Sequence, residues 1–174
     1  MRAALVTSAL VLLCGCKQSG PEAPQAEKVA SAAQAEEECT LATKLVPGVP
    51  GSPGHLIPSD INPNGASELA TLMRTMVADL EKGRAALEKG EPLAPLWSRH
   101  RKMRCAWPTD SADRNPQFDA MAVAYLAQVQ ALDAKPANPR AAFNAVVSAC
   151  QACHENSCPG PIDRIVQLKV AEAP

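Results

Sequence analysis

Aromatic residues are scarce: the 174-residue chain has two tryptophans, two phenylalanines and one tyrosine, 3% in all. A core with so few rings is built mainly from Ala, Leu, Val and Met, a mixture that suits helices better than sheets and argues against an all-β fold. An excess of charge is also missing. Seventeen basic residues face 18 acidic ones, a formal net charge of -1, so no broad field draws phosphate backbones or anionic lipid, and nucleic-acid binding has no support. The apolar run from Ala3 to Leu13 falls short of the about 20 residues a permanent membrane span needs. No internal repeat is visible. Nor is there a nucleophile–base pair, a carboxylate pair or a second metal constellation, so the chain does not read as an enzyme. Its length suits one compact domain with appendages.

What is present begins with an address. Met1 and Arg2 precede the apolar run, and Leu13-Cys14-Gly15-Cys16 resembles the lipobox of bacterial lipoproteins. That resemblance implies a signal peptide over residues 1–15, lipidation of Cys16 and anchoring on the periplasmic side of a bacterial membrane, inner or outer. The alternative is an ordinary signal peptide cleaved nearby, and both readings export the protein. Residues 16–42 are Ala, Gln, Glu, Ser and Pro with Glu36, Glu37 and Glu38 in a cluster. Such a composition buries too little surface to offset its ordering entropy, and it predicts a flexible tether. Residues 43–65 carry Pro47, Pro50, Pro53, Pro58 and Pro63 among glycines, which excludes a regular helix or central strand. This segment is expected to wrap the domain surface, with Leu56 and Ile57 as anchors.

Helical periodicity begins at Ser67. Leu69, Leu72, Met73, Met76, Val77, Leu80 and Leu87 recur at helical spacing up to Gly90, predicting a first amphipathic helix. Leu93, Leu96, Trp97, His100, Met103 and Trp107 form a second stripe, broken at Pro108, and Phe118, Met121, Tyr125, Leu126, Val129 and Leu132 a third. Asn138-Pro139 supplies an N-cap and N1 proline for a fourth helix carrying Phe143, Val146, Val147, Cys150, Cys153 and His154 on one face. After Pro159-Gly160-Pro161, Ile162, Ile165, Val166 and Leu168 suggest a short terminal helix. The expected fold is therefore all-α: a four-helix bundle over residues 66–174, with room for a cofactor near the C-terminal helix.

Cys150-Gln151-Ala152-Cys153-His154 has the C-x-x-C-H spacing of covalent c-type haem attachment. Two thiols three residues apart on one helical face reach the two vinyl groups as thioethers, and the adjacent imidazole is presented to the iron. Two other chemistries share these residues. Cys150, Cys153, His154 and Cys158 have the identities of a zinc site, although an oxidising compartment and a helical setting disfavour it. A thioredoxin-like redox pair would accompany a βαβ pattern, which is absent.

The stretch from Arg140 to His154, together with Leu72-Met73 on the first helix, resembles the class II c-type cytochromes, the cytochrome c prime family and its low-spin relatives. Class I cytochromes place the haem motif near the N-terminus, the reverse of the order here. The resemblance spans about Ala66 to His154 and implies one haem c, with Cys150 and Cys153 as attachment points and His154 as proximal ligand. It also implies that the first helix supplies the distal side, where Met73 matches the family's distal position as the candidate sixth ligand. Met76 is the next candidate on that helix. His100 lies on an apolar stripe, the usual place of a core histidine, and His55 reaches a haem only if the proline-rich segment folds over it. The chain departs from the family where Glu155, Asn156, Ser157 and Cys158 replace an aromatic and a basic residue, and in its ending from Cys158 to Ile165. It therefore reads as a divergent branch.

Of seven cysteines, Cys14 leaves with the signal, Cys16 takes lipid and two take haem. Cys39, Cys105 and Cys158 remain, and a Cys105–Cys158 disulfide is expected in preference to one with Cys39, because both lie within the domain. The leading expectation is a membrane-tethered monohaem cytochrome serving a redox partner protein or small electron donor or acceptor, with homodimerisation through the first two helices open. The alternatives are a five-coordinate haem module that binds nitric oxide or carbon monoxide on a face lined by Leu69, Leu72 and Met76, and a zinc- or disulfide-stabilised structural lipoprotein.

Overall fold

The computed structural model describes residues 39–171; the expected signal peptide, the Cys16 lipid site and most of the tether lie outside them. Among the described residues the fold is helical, with one isolated antiparallel bridge between Ile57 and Ala66. The long helices are α1 (Glu68–Lys89), α3 (Pro116–Asp133) and α4 (Pro139–Ser157), and the short ones α2 (Trp97–His100) and α5 (Ile162–Val166). None of them is long and apolar enough to cross a membrane.

Local chemistry sets the ends of the long helices. The Ser67 hydroxyl accepts from the Ala70 N–H at 3.1 Å to start α1, and Asn115 and Asn138 do the same for Phe118 and Ala141, each followed by a proline at the first helical position. Gly90 stops α1 in a left-handed conformation, φ 72°, while the Glu91 N–H donates to the Ala86 carbonyl at 2.8 Å. A side chain at Gly90 would strain that turn.

The second expected helix is only partly formed. One α-turn, α2, passes into a 3-10 turn over Arg101–Cys105 and then into extended chain at Ala106. Its start is not capped locally. The Asp133 carboxylate, at the end of α3, accepts from the Leu96 N–H at 3.0 Å and the Trp97 N–H at 2.8 Å. Its end is drawn off the helical path toward the start of α1, where the Trp107 N–H donates to Glu68 at 3.0 Å and the Trp107 carbonyl accepts from the Leu69 N–H at 2.9 Å.

Cys105 within this segment is bonded to Cys39, with Cα atoms 5.5 Å apart, and Cys158 is a free thiol. The Cys105–Cys158 pairing expected from sequence is thus corrected. Residues 39–42, expected as tether, are fastened to the folded part, because the proline-rich segment folds against the start of α1 and Trp107 and Cys39 is bonded to Cys105. That segment is held by main-chain bonds: Ile57 and Ala66 exchange N–H donors at 2.8 Å, the Glu68 N–H donates to Gly51 at 3.1 Å, and the Trp107 indole N–H donates to the Val46 carbonyl at 2.7 Å. Both expected anchors, Leu56 and Ile57, are half-buried.

One hydrophobic core joins the helices. Ala122, Tyr125, Leu126, Val129 and Leu132 of α3 pack with Phe143, Val146 and Val147 of α4, and Met76, Leu80 and Leu87 of α1 close the third side. Burying Phe143, Val146 or Val147 fully contributes about 1.5–3 kcal/mol each. The C-terminal segment returns over α4, where the Asn144 amide both donates to the Val170 carbonyl at 2.9 Å and accepts from its N–H at 3.0 Å.

Candidate functional site

The C-x-x-C-H residues lie on the last two turns of α4. The helix leaves the core along its length: Phe143, Val146 and Val147 are buried, whereas Cys150, Cys153 and His154 are half-buried. Cys153 and the imidazole thereby face a groove, whereas Cys150 packs against the core at its inner end.

The groove, about 330 Å³, runs between the first half of α1 (Leu69, Ala70, Met73), the loop and helix start from Pro108 to Phe118, and the end of α4 from Cys153 to Cys158. It falls within the range of small-molecule clefts, about 300–1,000 Å³. A narrower cleft of about 30 Å³ extends from it toward the core, walled by Met73, Met76 and Met103 on one side and by Tyr125, Ala149, Cys150, Cys153 and His154 on the other. Met73, Cys153 and His154 line both spaces. The structure therefore brings the motif to the same cavity as the first-helix methionine that sequence singled out. Met76 joins it in the inner cleft and Leu69 in the outer groove, whereas Leu72 packs against the core and His55 is exposed.

The protonation of the imidazole follows from its partner. His154 Nδ1 lies 2.8 Å from the Cys158 carbonyl oxygen, and a carbonyl only accepts, so Nδ1 carries the hydrogen and the lone pair sits on Nε2. Metal-binding histidines are commonly fixed by such a bond, which sets the tautomer and ring orientation. The Cys158 N–H in turn donates to the His154 carbonyl at 3.1 Å, closing the end of α4 around the ring.

The thiols are in their protonated state at neutral pH. Burial pushes the Cys150 thiol up to about 12, against the opposing effect of a hydrogen bond with Tyr125. Cys153 is raised chiefly by burial and further by Cys158. Thiolates are what zinc and disulfide exchange require, and reactive C-x-x-C pairs have lowered pKa values. Cys150 and Tyr125 line the inner cleft together. The arrangement offers two sulfurs for carbon–sulfur bonds, one nitrogen donor from His154 and one thioether donor from Met73 on a single cleft. The donor set thus fits a haem c chemically.

Three residues of the inner cleft were not singled out as functional by sequence reasoning: Ala149, Met103, read as part of an apolar stripe, and Tyr125, read as part of another. Tyr125 is 2% exposed and its hydroxyl lies 2.6 Å from His100 Nδ1. His100 is itself fully buried, as expected of a core histidine, and its ring is occupied by Tyr125 and by Asp79 at 3.5 Å from Nε2. A lone tyrosine on an apolar face needs a polar partner, and that requirement was the available signal.

Comparison with protein-family models, with curated proteins and with solved structures finds no match for this chain.

Proposed function

We propose that the protein is an exported, lipid-anchored monohaem c-type cytochrome, a divergent relative of the cytochrome c prime family, that carries single electrons. One observation carries this reading: Met73 of α1 lines the same cleft as Cys150, Cys153 and His154 of α4, with the His154 lone pair freed on Nε2 by the bond from Nδ1 to the Cys158 carbonyl. Cys150 and Cys153 would hold the haem as thioethers, and His154 and Met73 would supply the nitrogen and thioether donors to its iron. When bound, the haem supplies a one-electron couple, and a His/Met ligand pair raises its potential. The chain's own work is to hold and shield. The Cys158 carbonyl fixes the His154 ring, Met76 and Met103 give the inner cleft an apolar wall, and the outer groove leaves one side of the site open to a redox partner. In this proposal α1 and α4 would be the two helices flanking the haem of a four-helix bundle whose second helix is cut short. Lipidation at Cys16 would hold the domain on the periplasmic side of a bacterial membrane.

The test is to express the full-length chain with the cytochrome c maturation machinery and to record its reduced visible spectrum with and without carbon monoxide. Covalent haem with sharp, split bands that ignore the gas is the expected result. Broad bands that shift with carbon monoxide would replace the electron carrier by a gas-binding module. Full double attachment in a Cys153→Ser variant, or no haem at all, would overturn the assignment.

A further inference from the structure

Three polar groups, Asp79, His100 and Tyr125, lie in sequence between a surface cleft and the inner cleft that Cys150 lines. Asp79 of α1, 13% exposed, lines a separate surface cleft of about 390 Å³ and lies beside His100 Nε2 at 3.5 Å. On the other side of the ring, His100 Nδ1 meets the Tyr125 hydroxyl at 2.6 Å, and Tyr125 lines the inner cleft together with Cys150. His100 is fully buried, and its Nε2 has no partner in hydrogen-bonding geometry. Electron transfer as described above makes no use of these groups.

We propose that His100 is a proton-binding site coupled to the electron site, so that the protein takes up a proton with each electron and releases both together. This inference rests on the cytochrome reading. The Asp79 carboxylate repels a ring lone pair, so in the neutral ring Nε2 carries the hydrogen and Nδ1 accepts from Tyr125. Protonation places a hydrogen on Nδ1, which then donates to the Tyr125 oxygen. The Tyr125 O–H must turn away from the ring, toward the inner cleft that it lines with Cys150. A charge on His100 is therefore placed one tyrosine away from the cleft that Cys150, Cys153 and His154 line. The charges facing His100 are Asp79 from α1, Arg99 from its own helix and Asp133 from the end of α3. Burial lowers the affinity of His100 for a proton, with a smaller contribution from Arg99, and the two carboxylates oppose it. The balance of reduction is one electron from a one-electron donor protein at the haem and one proton from solvent at His100; oxidation returns both. Reduction removes a positive charge and tightens proton binding, so the reduction potential falls as pH rises.

Spectroelectrochemical titration of the full-length haem protein from pH 4 to 9 tests this. A tenfold difference in proton affinity between oxidation states gives a total drop of about 59 mV, and no slope steeper than about 59 mV per pH unit is expected for one proton per electron. His100→Gln is expected to abolish the drop, Tyr125→Phe to shrink it, and Asp79→Asn to move it to lower pH. A flat wild-type profile, or a drop that survives in His100→Gln, would overturn the proposal. If His100→Gln does not fold, an Asp79→Asn profile superimposed on wild type would overturn it equally. Failure of haem attachment in the wild type would overturn the cytochrome reading and this inference with it, an outcome distinct from a haem protein with a flat profile.

Discussion

Replacing both Cys39 and Cys105 by Ala tests the one covalent crosslink among the described residues. The bond joins positions 66 residues apart, and for a loop of that length the chain-entropy relation gives about 4 kcal/mol of stabilisation through the unfolded state. The crosslink lies outside the hydrophobic core, so its removal leaves no cavity and should act almost wholly through that entropy. The expected loss is about 2–4 kcal/mol, or roughly 10 °C in Tm for a domain of this size. Denaturant unfolding of the double variant measures it, and alkylation of the unreduced wild-type protein followed by mass mapping identifies the bonded pair. A loss below about 1 kcal/mol would refute the entropic argument, and alkylated Cys39 beside protected Cys158 would refute the pairing itself.

Asp133→Ala should cost about 1–2 kcal/mol in denaturant unfolding, because it strips the cap from the Leu96 and Trp97 N–H groups. Phe143→Ala, at a fully buried ring, should cost about 3–5 kcal/mol by the same measurement. Met73→Leu, which conserves volume, should turn a low-spin haem spectrum high-spin while leaving attachment intact; an unchanged spectrum would remove Met73 as ligand. His100 is held neutral by burial, with its folded pKa below the ordinary value near 6.5. The unfolded chain therefore binds the extra proton first, and stability should fall as pH drops from about 6.5 toward the lowered folded pKa. Unfolding curves from pH 7.5 to 5 should show that fall, and His100→Gln should flatten it.

What sequence revealed and what it concealed divide by the range of the interaction. Ser67, Gly90, Asn115 and Asn138 act on residues within one turn, so the ends of α1, α3 and α4 were legible from local rules. The segment from Leu93 to Trp107 carried a helical stripe, yet its conformation is decided by Asp133, 37 residues from Leu96, and by Glu68, 39 residues from Trp107. Periodicity records which face is apolar and says nothing of such distant claims on the main chain. The Cys39–Cys105 bond was hidden for the same reason. Composition marked residues 16–42 as unable to fold alone, but one crosslink suffices to hold their end against the domain. At the site, the spacing of Cys150, Cys153 and His154 was legible, whereas the role of Cys158 was not, since it acts through its carbonyl rather than its thiol.

The way α4 leaves the core explains how so small a domain can present this donor set. Its first half, through Phe143, Val146 and Val147, is anchored by apolar burial, and Asn144 ties it to the returning chain at Val170. The second half gives up that burial, and its ending at the Cys158 carbonyl fixes the His154 ring instead. A helix anchored at one end can project reactive groups into a groove without depending on them for stability. The two tasks are thus separable: substitution at Cys153 should alter what the groove can hold while leaving the fold nearly unchanged, and substitution at Phe143 should do the reverse by weakening the fold with the donor set intact. A cofactor bonded through two thioethers suits such a site, because attachment does not rely on the protein enclosing it. The groove between α1 and the end of α4 stays open beside the donor set.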